Sequence, residues 1–259
     1  MAKISICIPT YEMHGEGTSF LQRSFEALLK QSFKDFDVVI SDHSKDTKIQ
    51  EFCETYRNQL QIHYHKNTEH LGSSSANINN AMTKATGTLI KILFQDDFLY
   101  GNDSLEKIVK NFDTEKDHWL VTACNHTTNG TSFSKTHYPT YNSNIYLGKN
   151  TIGAPSVLTL KNQNIPLFDN NLAWLMDCDY YRKCYDRFGK LKILNEITVS
   201  IGLGEHQVTN TEATTQIRYE EYRYCLRKYG KTFISFPYRL RVVGMFYIKK
   251  LIRKFRSII

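Results

Sequence analysis

Apolar and polar positions alternate in blocks along the first 125 residues, and the blocks have two different periods. Residues 3–9 form a short apolar run closed by Pro9, which reads as a strand, while residues 19–31 place Leu21, Phe25, Leu28 and Leu29 at helical spacing. Further short apolar runs at 36–41, 62–65, 88–94 and 120–124 predict strands, and the segments 47–58, 74–85 and 104–112 predict helices. Strands alternating with helices of this length imply an α/β domain on a mainly parallel sheet with right-handed crossovers.

Beyond Asn125 the pattern changes. Residues 125–150 are rich in Thr, Asn, Ser and Tyr with little periodicity, and read as a surface excursion suited to a substrate loop. Gly153-Ala154-Pro155-Ser156 then precedes a strand at 157–160; residues 174–188 read as a turn leading into a helix, and 212–229 as a charged helix.

With 41% hydrophobic residues in 259, the chain can bury one large α/β domain or a domain with an appendage. It has no apolar run of ~18 residues and no amino-terminal signal peptide, so a cytoplasmic location is expected. The six cysteines (Cys7, Cys53, Cys124, Cys178, Cys184, Cys225) are scattered without a C-x-x-C pair, which favours reduced core thiols over a disulfide framework or a zinc site. The formal charge of +7 suggests nucleic acid until it is located. Arg239, Arg241, Lys249, Lys250, Arg253, Lys254 and Arg256 carry all of it, in a final segment without acidic residues, so the remainder is formally neutral and no nucleic-acid partner is expected.

Asp96 and Asp97 close the apolar run at the carboxyl edge of the expected sheet, where open α/β sheets bind ligands. Adjacent carboxylates repel unless a positive group lies beside them. Magnesium or manganese, which takes one or two carboxylates and completes its shell from phosphates, is one reading; an Asp-rich turn is the other. Three further loops follow strands. Pro9-Thr10-Tyr11-Glu12 offers a ring and a carboxylate to a base or ribose, or is an ordinary strand terminator. Asp42 can accept a hydrogen bond from a pyrimidine ring N–H, or form an Asx turn. In the segment from His70 to Asn77, Gly72 permits close backbone approach and Ser74 or Ser75 can cap the next helix; the spacing is neither G-x-G-x-x-G nor a Walker loop.

Together these segments resemble the inverting family-two glycosyltransferases of GT-A fold, of the bacterial cell-surface polysaccharide type. The family reads strand-Pro-Thr-Tyr-Asn, a leucine-rich helix ending near Gln-Ser/Thr-Phe/Tyr, and Val-Val-Asp-Asp-Gly-Ser-x-Asp; the matching residues are Ile4 to Glu12, Leu28 to Phe33, and Val38 to Asp46. Its Asn-x-Gly…Ala-x-Asn segment is approximated by Glu69 to Asn77, and its Ala-x-Gly-x-Tyr-Ile-x-Phe-x-Asp-x-Asp-Asp by Ala85 to Asp97. The resemblance covers residues 3–110 well and thins afterwards. Phe94 stands where the first carboxylate of the Asp-x-Asp signature is expected, and Ser41 and His43 replace the usual Asp and Gly.

The resemblance implies a GT-A-like, Rossmann-like sheet flanked by helices over residues 1–210, with a nucleotide-binding half at 1–110, an acceptor and catalytic half at 111–210, and a helical extension at 211–259. It implies nucleotide contacts from Pro9, Thr10, Tyr11, Glu12, Asp42, Gly72, Asn77, Gln95 and Asp96, and donor-sugar or acceptor contacts from Gly153, Pro155 and Ser156. Mn2+ or Mg2+ would be held by Asp96, Asp97 and His206. In Met176-Asp177-Cys178-Asp179, Asp177 aligns with the general base, Met176 with the preceding glutamate, and Asp179 with a supporting carboxylate; helix N-terminal carboxylates are the competing reading. The expected reaction moves a sugar from a nucleotide-sugar donor, a UDP-sugar with a dTDP-sugar as the rival, to a hydroxyl of a glycan or glycolipid acceptor. A nucleotidyltransferase is disfavoured because Glu12 to Gly17 supplies glycines without Lys or Arg; an inactive sugar-nucleotide-binding module is the third reading. In the tail, Ile248, Leu251, Ile252, Phe255 and Ile259 share one helix face with basic residues on the others, a pattern suited to an anionic membrane surface or to packing on protein.

Overall fold

A computed structural model describes residues 4–204, 214–230 and 244. Its first half follows the periodicity closely: β1 (Ile4–Thr10), α1 (Gly17–Leu29), β2 (Phe36–Asp42), α2 (Lys48–Thr55), β3 (Ile62–Lys66), α3 (Ser74–Lys84), β4 (Leu89–Ile92) and, after an unexpected two-residue β5 (Phe98–Leu99), α4 (Ser104–Asn111). There follow β6 (Trp119–Thr127), β7 (Ser134–His137), β8 (Leu158–Lys161), α5 (Met176–Phe188), β9 (Lys192–Gly202) and α6 (Thr215–Tyr229). Every residue of β1, β2 and β4 is buried, as continuous apolar runs in a covered sheet require. Leu21, Phe25 and Leu28 form the buried stripe of α1.

The strands join one mixed sheet in the order β3-β2-β1-β4-β8-β6-β9-β5, with β7 on β6. β3, β2, β1 and β4 are parallel throughout, and β6 is parallel to β9, whereas β8 runs antiparallel to both β4 and β6. That inversion has a local cause. The chain re-enters at the carboxyl edge, where the Ser156 hydroxyl accepts from the Phe94 N–H at 2.8 Å, and must run back down the sheet. It ends at Asn162, whose amide donates to the carbonyls of Ala85 and Gly87 at the opposite edge.

Two differences from the sequence expectation bear on the site. β6 continues to Thr127, so the polar excursion starts as strand. β9 was not expected at all: Lys192, Asn195 and Glu196 break the apolar run of its first half, and only Thr198–Gly202 is fully buried. All six cysteines are buried. Among the described residues no helix is long and apolar enough to cross a membrane.

Candidate active site

The carboxyl ends of β1, β2 and β4 bring three of the expected loops together. Thr10, Asp42 and Asn77 are all buried there. The Asn77 amide donates to the Thr10 carbonyl at 2.9 Å, and its Oδ1 accepts from the Ser41 hydroxyl at 2.6 Å, so Asn77 ties α3 to both strands. Asp42 has no exposed side-chain surface. Its Oδ1 accepts from Thr10 Oγ1 at 3.2 Å and the Ser44 N–H at 2.9 Å, and its Oδ2 from Tyr64 Oη at 2.7 Å and Lys66 Nζ at 3.3 Å. Four donors fill the capacity of a carboxylate. A pyrimidine N–H would therefore have to displace one of them, and in this arrangement Asp42 fixes the strand ends.

Gln95 is equally committed. Its Oε1 accepts from the Tyr11 N–H at 3.0 Å and its Nε2 donates to the Gly17 carbonyl at 2.8 Å, clamping the Tyr11–Glu12 loop onto β4. Gly17 is needed there, because a Cβ would lie 2.5 Å from the Tyr11 carbonyl. Pro9 is buried within β1, paired with Ser41, while Tyr11 remains exposed and Glu12 half-buried. At Gly72 the reason for glycine differs from the one expected: a Cβ would meet nothing, and the requirement is its φ of +85°. The α3 cap is Ser73, whose Oγ accepts from the Ala76 N–H, one residue before the expected position; Ser75 instead donates to the Leu172 carbonyl at 2.9 Å.

The diacidic pair sits in a tight turn, with the Asp97 N–H bonded to the Phe94 carbonyl at 3.0 Å. Asp97 is buried, and its Oδ1 accepts from the Gly202 N–H at 2.8 Å at the end of β9. Burial first, and then the charge of Asp96, raise its carboxyl well above the ordinary range against hydrogen bonds from Ser156 and Gly202 and the charge of Arg23. Arg23 of α1, unremarked in the sequence, donates to the Asp96 carbonyl at 2.5 Å and lies 4.7 Å from the Phe98 ring. A second missed residue is Lys91, fully buried in β4. Its Nζ donates to the carbonyls of Ser156 and, at 3.5 Å, Leu158, and burial lowers its pKa to about 7 against the charge of Asp97. The one available signal was a lone lysine inside an apolar strand run.

Among the described residues no three His, Cys, Asp or Glu are grouped to hold a metal ion. Asp96 and Asp97 are oxygen donors of the kind a hard cation takes, and one Asp97 oxygen is already engaged by the Gly202 N–H. His206 lies outside the described residues.

Asp177 opens α5. Its Oδ1 accepts from the Cys178 N–H at 2.6 Å and its Oδ2 from the Asn150 amide at 2.6 Å. Burial pushes its carboxyl up to about 6, against those same hydrogen bonds. Asn150, another residue the sequence did not single out, also donates to the Gly153 carbonyl at 2.9 Å and accepts from the N–H groups of Ile152 and Gly153. The loop that ends in Ser156 is therefore bonded to Asp177 at one end and to Asp97 and Phe94 at the other, with Pro155 opening the 3-10 turn between. Asp179 does not join this chain. Fully buried, it accepts from Lys228 Nζ at 2.7 Å and Tyr229 Oη at 2.7 Å and pairs with Lys183 at 3.2 Å, so its support is to anchor α6 on α5.

α6 makes two more attachments. Tyr224 and Lys228 bind Asp169 at 2.8 and 2.7 Å, and the buried Glu221 carboxylate accepts the N–H groups of Ala173, Trp174 and Leu175 at 2.8, 3.0 and 2.7 Å. A cavity of about 590 Å3 lies between α6, the Gly72 loop and residues 170–173; neither the diacidic turn nor Asp177 lines it.

The parallel strands β3, β2, β1 and β4, the antiparallel return strand β8 and the flanking helices form a GT-A-like fold, that of a class of glycosyltransferases. The chain belongs to glycosyl transferase family 2, whose model matches residues 5–166. It is similar to a GalNAc(5)-diNAcBac-PP-undecaprenol beta-1,3-glucosyltransferase of Campylobacter jejuni, 26% identical over 100 residues, which are 38% of this chain and 31% of that protein. The chain thus matches less than a third of the length of that relative. Among solved structures it is similar to S. aureus TarS 1-349 in complex with UDP-GlcNAc, with a TM-score of 0.65, 19% identity and coverage of 87% of this chain and 66% of that one. It is also similar to the mannosyltransferase PcManGT from Pyrobaculum calidifontis in complex with GDP-Man and Mn2+, with a TM-score of 0.60, 14% identity and coverage of 94% and 69%. Both likenesses are of fold. The family match ends before α5, so Asp177 and the whole α6 attachment lie beyond it.

Proposed function

We propose that the chain is a metal-assisted inverting glycosyltransferase that takes a sugar from a UDP-sugar to a hydroxyl of a lipid-linked glycan, with Asp177 as general base. The observation that supports this reading is the 150–156 loop, which is bonded to Asp177 through Asn150 at one end and to Phe94 and Asp97 through Ser156 at the other. A base of pKa about 6 is ionised at neutral pH yet still takes a proton readily from a hydroxyl committed to attack. Gly153, Pro155 and Ser156 then border the sugar between the two ends. Asp96 and Asp97 would hold Mn2+ or Mg2+, with His206 four residues beyond Gly202 completing the set; the ion supplies charge stabilisation for the departing diphosphate. Tyr11 and Glu12, held by Gln95, face the base or ribose.

The UDP-GlcNAc complex of TarS supports the donor, and the undecaprenol in the name of the C. jejuni relative supports a lipid-linked acceptor. A lipid-linked acceptor in turn suits peripheral attachment at the cytoplasmic face of the membrane through residues 238–259.

Purified protein with Mn2+ and a panel of nucleotide sugars tests the proposal. We expect slow donor hydrolysis, abolished in Asp177→Asn while UDP binding by calorimetry persists. No hydrolysis of any nucleotide sugar in the panel would remove the transferase reading.

A further inference from the structure

We propose that Glu221 is a positioning residue for catalysis: from α6 it sets both the orientation of the helix that carries Asp177 and the charge at that helix's N-terminus. The inference rests on the transferase reading. Three consecutive N–H groups, of Ala173, Trp174 and Leu175, converge on one buried carboxylate, and Asp177 follows two residues later in the first turn of α5. The same lead-in is fixed on its other side by Ser75, which donates to the Leu172 carbonyl. The turn is therefore held between the nucleotide-side helix α3 and α6, and α5 cannot tilt without breaking bonds to one of them.

The charge matters as well as the geometry. Unpaired N–H groups at a helix start carry partial positive charge and stabilise a nearby carboxylate anion, which would make Asp177 a poorer base. An anion seated on those groups offsets this effect. Among the described residues, the other titratable groups near Asp177 are Cys178 and Tyr181 on its own helix, and Asp179, whose charge is answered by Lys183 and Lys228. Beside Glu221, Arg218 lies over the Trp174 ring at 5.2 Å, and Glu220 and Arg227 line the adjacent cavity. None of these replaces a carboxylate on the 173–175 turn.

The test uses the full chain, Mn2+ and the best UDP-sugar of the panel. Glu221→Gln keeps an acceptor on the turn but removes the charge. We expect kcat to fall about tenfold with KM for donor and affinity for UDP unchanged, and the acid limb of the kcat profile to move down by on the order of half a pH unit. Tyr224→Phe, which loosens α6 from Asp169 without altering charge, is expected to lower the melting temperature and leave the limb in place. If Glu221→Gln keeps the wild-type kcat and limb, or if Tyr224→Phe moves the limb equally, the assignment is wrong while the transferase reading stands. A Glu221→Gln chain that loses UDP binding together with its cooperative melt makes Glu221 a folding residue only and also overturns it. An inactive wild-type chain would instead count against the transferase reading.

Discussion

The base proposed at Asp177 must be kept from ionising too easily, and burial does so at the expense of stability. The folded carboxyl titrates near 6, above its ordinary 3.8, so between those values the native chain holds a proton that the unfolded chain has lost. The sign follows: ionised Asp177 destabilises the fold above about pH 6, and the cost disappears as pH falls toward 4. The nominal shift corresponds to ~3 kcal/mol. Asp177→Asn recovers less, because an amide oxygen can replace the carboxylate toward only one of Asn150 and Cys178. We expect that variant to be inactive yet about 1 kcal/mol more stable than wild type at pH 7.5 by urea unfolding, with no gain at pH 4. A variant destabilised at both pH values would show that Asp177 is held by favourable contacts and not by burial.

At the scale of elements, β9 decides where the diacidic turn sits. Gly202 brings its N–H to Asp97 and packs so closely on the Asp96 carbonyl that a Cβ there would collide with it. Gly202→Ala should push the 94–97 turn outward and break that hydrogen bond at a stability cost of about 1–3 kcal/mol. Activity at saturating donor should then require roughly tenfold more Mn2+ for half-maximal rate, measured by metal titration, since a bond of about 1.4 kcal/mol is a factor of ten. An unchanged metal titration would uncouple the turn from the ion. This strand was also the least legible in the sequence, and the reason is instructive. β1, β2 and β4 are buried on both faces and announce themselves as unbroken apolar runs, whereas β9 mixes Lys192, Asn195 and Glu196 into its first half. The loops after β1, β2 and β4 were legible because each follows such a run, whereas the His70–Asn77 loop follows the polar, half-exposed β3. What occupies them was legible only in part: the Ser44 N–H meets Asp42 as the Asx turn expected there, whereas the donors from Thr10, Tyr64 and Lys66 lie 32, 22 and 24 residues away and no local pattern connects them. Asn150 and Glu221 were invisible for the same reason, meeting their partners across 27 and 46 to 48 residues of chain.

At the scale of the whole molecule, charge and fold are separated along the chain. All seven net positive charges fall after Tyr238, outside the described residues, while the described part carries the sheet, the 150–156 loop and α6. A neutral body with a basic end is what an enzyme working on a lipid-linked acceptor would use to stay near its substrate without crossing the bilayer. Each basic residue near an anionic surface contributes ~1 kcal/mol, and the attraction decays within a Debye length of ~8 Å at physiological salt. The full chain should therefore sediment with vesicles containing anionic lipid at low salt, bind far less at ~0.5 M salt, and ignore vesicles of zwitterionic lipid alone. A chain ending before Tyr238 should stay in the supernatant under all three conditions while hydrolysing donor at the wild-type rate, because Glu221, Lys228 and Tyr229 still hold α6 on α5. Equal sedimentation of the full and shortened chains would refute membrane attachment through the tail. Loss of donor hydrolysis in a shortened chain that melts normally would instead show that residues beyond 238 serve the active site itself.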